Sequence, residues 1–501
     1  MLHLSPLLRD GAVLCRRKEI RIFGEADEGA RIRCELLDGQ GTLLGEAEAE
    51  TVGGRFLALI PPQEAGYHCK LRVSGAGETV CALDISIGEV YLAGGQSNME
   101  MELSRADEGP ELIRTHVNPM VRYFNIPRFA YPCGEADRAF EEARWQAVGP
   151  GRAGDMSAVA YFFAMELQRR LEVPVGIIDC YWGGTSVTAW MDREWLCRTT
   201  EGKRYLEEYE ALSGGKSLEV WQEETRVWQA ELDAWNAKVE VYKQAHPTAS
   251  GAEVNREVGP CPWNPPAGPG SPYRPAALFD TMVARAVPMT LSGFLWYQGE
   301  NDAGLTDQYN VLLTSMIDRW RTAFREDSLP FLLVQLPMWI ASYEPEDTYT
   351  WPAIRLAQTK VRDQVRNCAM VCLLDQGEWD NLHPTAKRVV GERLCDAALR
   401  LVYGQECPES PRATGKRTEN GMLTVTLSEG VLTSDGKEPA LLELAGADGV
   451  FHPARAMLEG GLLRLRACGV SVPVSVRYAW TDFAQVNLFS AEGLPLEPFR
   501  L

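Results

Sequence analysis

The stretch Gly88–Leu103, GEVYLAGGQSNMEMEL, decides the fold, because it predicts a buried strand, a tight Gly-Gly turn and the start of a short helix. The apolar run between Gly88 and Gly94 is typical of a short strand covered on both faces. Ser97 would lie just beyond the carboxyl end of that strand, with its backbone N–H at a helix start that favours developing negative charge. The same pattern also fits a turn followed by an ordinary helix cap, so Ser97 is a candidate nucleophile only if the rest of the chain supports it.

Composition sets the class of protein. A chain of 501 residues is too long for one core and predicts two or three domains. Its 45% hydrophobic and 24% charged residues are ordinary for a soluble globular protein. The net charge of −19 argues against nucleic acid or an anionic membrane as a partner. The first 20 residues lack the pattern of a secretory signal, and no apolar run reaches the roughly 18 residues that a membrane span needs.

The cysteines indicate the compartment. Their number, 13, is odd, they are scattered, and they form no C-x-x-C pair, so the sequence predicts neither a disulfide framework nor a zinc site. Unpaired cysteines suit a reducing environment, and we therefore expect a cytoplasmic protein. The sequence does not indicate the oligomeric state.

Hydrophobic patterns divide the chain into three segments. Residues 1–87 alternate apolar and polar side chains as a β-sandwich does, in Glu19–Phe23, Arg31–Leu36, Arg55–Leu59 and Cys69–Val73. Residues 88–404 alternate strands with amphipathic helices and predict an α/β class domain, a three-layer α/β/α arrangement around a five-stranded parallel sheet. Its predicted strands are Glu89–Gly94, Val173–Tyr181, Leu291–Tyr297, Phe331–Leu336 and Ala369–Asp375. Residues 405–501 return to a β pattern and predict a second sandwich-like domain.

Residues 195–276 interrupt the α/β domain as an insertion. Its helical part carries Trp221, Trp228 and Trp235 at steps of seven, which places the three rings on one face and favours a packing stripe over a ligand platform. The loop PCPWNPPAGPGSPYRP follows. Long loops of α/β domains often cover a site, so Trp263 and Tyr273 are candidates for stacking on sugar rings.

Polar clusters follow four of the five predicted strands. In open α/β sheets, ligand sites form outside the carboxyl ends of the strands, so these clusters should share one edge. They are Gly95-Gln96-Ser97-Asn98, Trp182-Gly183-Gly184-Thr185-Ser186, Gln298-Gly299-Glu300-Asn301-Asp302 and Gly377-Glu378-Trp379-Asp380-Asn381-Leu382-His383-Pro384.

Acyl transfer is the chemistry that these clusters can share. A neutral serine needs a base, and His383 is the one histidine of six at a predicted strand end. Asp380 precedes it by three residues and could orient the imidazole through Nδ1. The segment Asp380–Pro384 also fits a simple helix start, because proline suits the first helical position.

An oxyanion requires converging donors. The backbone N–H groups of Ser97 and of Gly183 or Gly184 are candidates, since glycine lets the backbone approach closely. Asn301 offers a side-chain amide from a third strand end. Glu300 could serve as one carboxylate of a glycosidase pair, but no second carboxylate of similar quality accompanies it, so we interpret it as a structural hydrogen-bonding group.

These blocks resemble those of SGNH-type hydrolases, and more closely the sialate O-acetylesterase family of carbohydrate esterases. GQSNM contains the family's nucleophile position at Ser97, WGGTS its oxyanion glycine at Gly184, and DNLHP its acid and base at Asp380 and His383. WYQGEN matches a third block, in which the further oxyanion donor is either Asn301 or Gln298. The resemblance extends over nearly the whole chain and implies hydrolysis of O-acetyl esters on sugars, without metal or cofactor.

The expected substrate is an acetylated mono- or oligosaccharide, either sialic acid or a plant-type glycan. The candidate substrate-binding residues are Gln96, Glu300, Arg355, Trp263 and Tyr273. Arg355 is chosen because the carboxylate of sialic acid calls for a cation, and Trp351, Arg355 and Gln358 share one helix face. A lipase or thioesterase of the same fold, a non-catalytic sugar-binding protein and a glycosidase remain as alternatives.

Overall fold

The amino-terminal segment is built from antiparallel strands around an apolar core. The structure, a computed structural model, describes residues 1–342 and 347–501. The strands are β1 Leu2–Leu4, β2 Val13–Cys15, β3 Ile20–Ala26, β4 Arg31–Leu37, β5 Leu43–Glu50, β6 Arg55–Ile60, β7 Gly66–Gly75 and β8 Glu78–Gly95. One sheet has the order β1-β3-β6, and in the other β4 pairs with β5 and β7 while β7 pairs with β8. All four segments predicted from alternation are strands.

Strand β8 joins this segment to the rest of the molecule. Its first half pairs antiparallel with β7, and from Glu89 onward it pairs parallel with strands of the central sheet. The strand β2 lies parallel to residues Ser86–Gly88, where the two halves meet. The boundary expected between residues 87 and 88 therefore falls inside one continuous strand of 18 residues.

The central region alternates strands and helices. Its elements are α1 Ser97–Glu100, α2 Gly109–Thr115, β9 Asn118–Asn125, α3 Gly134–Glu142, β10 Gln146–Val148, α4 Ala158–Leu171, β11 Val175–Tyr181, α5 Arg193–Leu196, α6 Thr200–Ser213, α7 Leu218–Ala245, α8 Gly251–Glu257, α9 Ala284–Ala286, β12 Gly293–Tyr297, α10 Thr306–Ala323, β13 Phe331–Val334, α11 Thr350–Gln364, β14 Cys368–Val371 and α12 Lys387–Leu401. The strand order is β10-β9-β11-β8-β12-β13-β14. Each neighbouring pair from β9 to β14 is parallel, and β10 is antiparallel.

The parallel sheet thus has six strands where the sequence predicted five. The additional strand is β9, and its pattern is interrupted by Arg122, which is only 5% exposed. The guanidinium of Arg122 is satisfied by the carbonyl of Gly11 and by Asp84. Strands of the central sheet were predicted from apolar runs. Strand β9 was missed because a charged side chain with buried partners interrupts its run.

Helices cover both faces of the sheet. On β8, the ring of Tyr91 meets Phe163 of α4 edge to face, whereas Trp320 of α10 lies against Gly94. Tyr91 and Gly94 point to opposite faces because side chains alternate along a strand. Helix α4 packs against α12, and α10 packs against α11. The domain therefore has three layers.

In the insertion, helix α7 holds the Pro/Gly-rich loop by its tryptophans. The indole N–H groups of Trp221, Trp228 and Trp235 donate to the carbonyls of Pro266, Pro262 and Gly259, at 3.1, 2.8 and 2.9 Å. Any side chain at Gly268 or Gly270 would collide with the Trp221 ring. The stripe is a packing stripe, as the spacing predicted, and it also supplies donors to a loop whose prolines lack N–H groups.

The carboxyl-terminal segment packs on the α/β domain. Its strands are β15 Ala413–Glu419, β16 Met422–Leu427, β17 Leu432–Thr433, β18 Leu442–Ala445, β19 Phe451–Glu459, β20 Leu462–Ala467, β21 Ser475–Tyr478, β22 Leu488–Phe489 and β23 Phe499–Arg500. Seven of them form one sheet, and β17 pairs with β22. Its core includes Met338, Cys372 and Leu374 of the α/β domain. Within the described ranges, no helix has both the length and the apolar character needed to cross a membrane.

Candidate active site

Ser97 opens helix α1 directly after β8. Gly95 has φ +141°, and a Cβ there would stand 2.1 Å from the Tyr297 carbonyl oxygen of β12. Only glycine therefore allows β8 and β12 to approach so closely at this edge. The chain reaches Ser97 through the single residue Gln96. The predicted turn is thus a strand end followed at once by a helix.

His383 accompanies Ser97, as the sequence predicted. The distance between His383 Nε2 and Ser97 Oγ is 2.7 Å. Burial lowers the pKa of the imidazole to about 4, and the positive charges of Lys387 and Arg105 act in the same direction. The imidazole is therefore neutral at pH 7 and able to accept the serine proton.

Asp380 does not contact His383. Its carboxylate accepts the backbone N–H groups of Ser342, at 2.7 Å, and of Gly251 at the start of α8. The backbone explains this direction: Asp380 has φ +64°, and Asn381 Oδ1 accepts the His383 N–H in a tight local turn. Within residues 1–342 and 347–501, no carboxylate is hydrogen-bonded to the imidazole. Asp380 therefore ties the loop to the insertion and does not orient the base.

Two of the predicted oxyanion donors are already engaged. The Gly183 N–H donates to the carboxylate of Glu100. Gln298 is fully buried, and its amide donates to Thr185 O at 3.1 Å and to Asp302 Oδ2 at 2.6 Å. Neither group is free to meet a substrate oxygen.

Ser97, Gly184 and Asn301 line the same cavity. Asn301 is held there by Gln96, whose Oε1 accepts the N–H groups of Gly299 at 3.4 Å and Asn301 at 3.3 Å. Gln96 lines the cavity although it is only 3% exposed, and through these bonds it also joins two strand ends. The geometry favours Asn301 over Gln298, a choice that the sequence left open.

The cavity around Ser97 has a volume of about 650 Å³. Aromatic side chains form much of its wall, among them Trp182, Trp263, Tyr273, Trp339 and Trp351. Trp263 is 51% exposed and lies edge to face with both Trp228 and Tyr273. A side chain at Gly184 would meet Trp263 at 2.9 Å. Trp263 and Tyr273 therefore stand at the site, as predicted for the covering loop.

Arg355 does not reach the cavity. Its side chain is fully buried and donates to the carbonyls of Thr481 at 2.5 Å and Pro337 at 3.4 Å. Burial lowers its pKa to about 10. The structure contradicts the prediction of a substrate-binding Arg355, because its guanidinium donates to the Thr481 carbonyl of the carboxyl-terminal segment, whereas Trp351 of the same helix lines the cavity. Among the described residues that line the cavity, the arginine is Arg105, which no periodic pattern in the sequence singled out.

Glu300 joins a buried polar cluster with two residues that sequence reasoning left without a role. Asn98 Nδ2 donates to Glu300 Oε1 at 2.6 Å, and Lys387 Nζ donates to Asn98 Oδ1 at 2.6 Å. Burial raises the pKa of Glu300 and lowers that of Lys387 to about 7. Glu300 lines the cavity, and the hydrogen bond that it accepts from Asn98 supports its interpretation as a hydrogen-bonding group.

The site can perform nucleophilic chemistry with its own side chains. Among the residues that the structure describes, no group of three or more His, Cys, Asp and Glu side chains is arranged to hold a metal ion. A serine hydroxyl next to a neutral imidazole is the pair that acyl transfer uses, and Gly184 and Asn301 line the same cavity.

Comparison with known proteins agrees with this arrangement. The model of a family described as "carbohydrate esterase, sialic acid-specific acetylesterase" matches residues 262–400. Sialate O-acetylesterases of Mus musculus and Homo sapiens are each 25% identical over 95% of this chain and over 90% and 88% of their own lengths. A carbohydrate acetylesterase from Xanthomonas citri superposes with a TM-score of 0.78 at 28% identity, over 100% of this chain and 99% of that one. These matches confirm the resemblance read from the motifs: the chain is similar to sialate O-acetylesterases and to a carbohydrate acetylesterase over nearly its whole length.

Proposed function

We propose that this protein is a serine esterase that removes O-acetyl groups from sugars through an acetyl-serine intermediate. The observation that carries the proposal is the 2.7 Å contact between Ser97 Oγ and His383 Nε2 in a cavity walled by aromatic rings. The similarity to a carbohydrate acetylesterase over the whole chain supports the same reaction. The fold that it implies is of the SGNH type.

Acylation begins when Ser97 Oγ attacks the acetyl carbonyl carbon while His383 Nε2 takes the hydroxyl proton. The tetrahedral intermediate then expels the sugar oxygen, which receives that proton from His383. Water attacks the acetyl carbonyl carbon of the acetyl-serine while His383 takes its proton. The bond to Ser97 Oγ then breaks, Oγ receives that proton from His383, and acetate leaves. The low pKa of His383 keeps the base form available in weakly acidic solution.

The oxyanion is proposed to bind the N–H groups of Ser97 and Gly184 and the side-chain amide of Asn301. All three residues line the cavity, and the donors of Gly183 and Gln298 are engaged elsewhere. Losing one such donor typically lowers turnover by about 100- to 1000-fold.

The sugar is proposed to lie against Trp263 and Tyr273, the rings of the loop that α7 clamps. Apolar walls with a few polar groups are typical of small-ligand sites. For an acidic sugar such as sialic acid, Arg105 at the cavity is the cation that could meet the carboxylate. A neutral plant-type oligosaccharide would not need it.

Acetate release from acetylated xylan, mannan, xyloglucan and sialic acid tests this proposal, with Ser97→Ala as the control. We expect release from at least one glycan and none with Ser97→Ala. An octanoyl ester cleaved better than an acetyl ester would favour a lipase or thioesterase. Reducing ends formed without acetate would favour a glycosidase, and binding without turnover a sugar-binding protein.

Two further points remain proposals of the same kind. We propose that residues 1–87, 88–404 and 405–501 act as the structural units of the chain, with 195–276 as the insertion that walls the cavity. We also propose a cytoplasmic location. The thirteen cysteines, all free in the structure, support a reducing compartment.

A further inference from the structure

The residue after the candidate nucleophile is tied to the residue before the candidate base. Asn98 is 1% exposed, and its Nδ2 donates both to Glu300 Oε1 at 2.6 Å and to the Leu382 carbonyl at 3.0 Å. Its Oδ1 accepts from Lys387 Nζ at 2.6 Å. A cationic donor must face the oxygen, so the amide has one orientation.

This amide bridges the two loops that carry the reaction. Ser97 and His383 are 286 residues apart in the chain, and they come from the ends of β8 and β14. Asn98 is covalently next to Ser97, and Leu382 is covalently next to His383. The bond between Asn98 and Leu382 therefore limits how far the two reacting side chains can separate.

Lys387 brings a buried positive charge to the same place. Lys387 is the first residue of α12. Its side chain is only 2% exposed, and its Nζ lies 5.4 Å from the Tyr297 ring centroid. Glu300 and Glu378 are the carboxylates that act on Lys387, and the positive charges of Lys387 and Arg105 both act on His383. Burying a lysine is costly unless it is paired, which makes this one a candidate for a functional role.

We propose that Asn98, Glu300 and Lys387 form a positioning unit for His383, in which the Asn98 amide, held between Glu300 and Lys387, sets the distance from His383 to Ser97, and Lys387 places a buried positive charge at the same loop. The proposal rests on the function proposed above for Ser97 and His383. The three residues act through His383 and Ser97 and need not touch the substrate. Glu300 serves as the acceptor that fixes the amide.

The electrostatic part has a definite sign. Burial lowers the pKa of His383 to about 4 and that of Lys387 to about 7, so Lys387 is charged throughout the range in which His383 gains its proton. A nearby positive charge opposes that proton. Removing the charge should raise the pKa of His383 and move the acid limb of kcat/KM to higher pH.

The first experiment compares kcat/KM against pH for 4-nitrophenyl acetate in wild type, Lys387→Met and Lys387→Gln. Lys387→Gln removes the charge and keeps an N–H donor, so it also serves if Lys387→Met fails to fold. We expect the pH at which kcat/KM falls to half on the acid side to increase by about one pH unit in both variants. Lys18→Met is the matched control, because Lys18 also forms a half-buried ion pair, 2.6 Å from Glu326, and lies outside the cavity. An acid limb that stays in place in folded Lys387→Gln overturns the electrostatic role.

The second experiment tests the amide. Asn98→Leu, similar in volume, should lower kcat by about 100-fold with KM unchanged, since it misplaces reacting groups without removing substrate contacts. Glu300→Leu should lower kcat in the same way, and Glu300→Gln, which keeps the acceptor, should recover most of the loss. Equal losses in the two Glu300 variants, or a KM effect alone, would overturn the positioning role.

Ser97→Ala separates the two levels of inference. If it retains turnover, the proposed function fails whatever the Lys387 and Asn98 variants do. If it is inactive and the acid limb and kcat of the other variants match the wild type, only the positioning unit fails.

Discussion

The loop after β8 and the loop after β14 each supply one reacting side chain, but they direct their side chains differently. The first connection consists of Gln96 alone. Gln96 and Asn98 bond to residues that follow β12, and Ser97 faces His383. The second runs from residue 372 to 386, and its side chains diverge: His383 faces Ser97, whereas Asp380 faces the insertion. In a short connection the backbone fixes the directions of the side chains. In the long one, the positive φ of Asp380 turns its side chain toward the insertion.

The largest effect in this comparison is expected at His383. His383→Ala should lower kcat for an acetyl ester by about 10,000-fold or more, because the serine loses its base. Acetate release measured with the purified variant checks this, with circular dichroism to show that it is folded. Turnover within tenfold of the wild type would mean that another group activates Ser97.

The pH profile sharpens the description of the second loop. A histidine with a pKa of about 4 accepts a proton from serine at any pH above that value, so kcat/KM should stay constant down to about pH 5 and halve near pH 4. An ordinary histidine would halve the rate near pH 6.5. Half-loss near that ordinary value would show that burial and Lys387 do not control the base.

Trp263 and Arg355 test which of the predicted substrate contacts belong to the cavity. Trp263→Ala should raise KM for an acetylated oligosaccharide by about tenfold and leave 4-nitrophenyl acetate nearly unaffected, because a stacking wall is lost. Arg355→Met should leave both KM values unchanged and lower the melting temperature, because buried carbonyls lose their donor. A KM effect of Arg355→Met would restore Arg355 as a substrate-binding residue.

Asp380→Asn should have the smallest effect on rate. A triad acid would lose up to about 10,000-fold in turnover, whereas a loop anchor should lose less than about threefold. The variant exchanges an acceptor oxygen for an amide that faces the N–H groups of Gly251 and Ser342, which should cost about 1–3 kcal/mol of stability. Urea unfolding measures the stability, and steady-state kinetics measure the rate. A large loss of rate at unchanged stability would show that Asp380 orients His383.

Patterns of apolar residues predicted most of the frame. All five expected strands of the central sheet are present, and Ser97, Gly184, Asn301 and His383 meet at the carboxyl edge, as the strand-end rule requires. Strand β9 escaped because Arg122 is buried with its partners. The directions of Asp380 and Arg355 depend on tertiary contacts with the insertion and the carboxyl-terminal segment, which no local spacing encodes.

The cluster of Asn98, Glu300 and Lys387 shows the same limit. Each residue is ordinary in its own segment, and the link between them forms only when β8, β12 and α12 come together. Helix α12 begins at Lys387, three residues after Pro384, the position at which the segment Asp380–Pro384 also fitted a helix start. A charged residue at a helix start gives no sign of its partner, so buried polar networks are the part of a site least accessible to sequence reasoning.

In the proposed reaction, Ser97 takes the acetyl group from the sugar and passes it to water. Mass spectrometry of peptides from enzyme quenched during turnover of an acetyl ester tests it most directly, with Ser97→Ala as the control. We expect one acetyl group on the peptide that contains Ser97, and neither the adduct nor acetate release in Ser97→Ala. Continued acetate release by Ser97→Ala, or an acetyl group trapped on another residue, would contradict it.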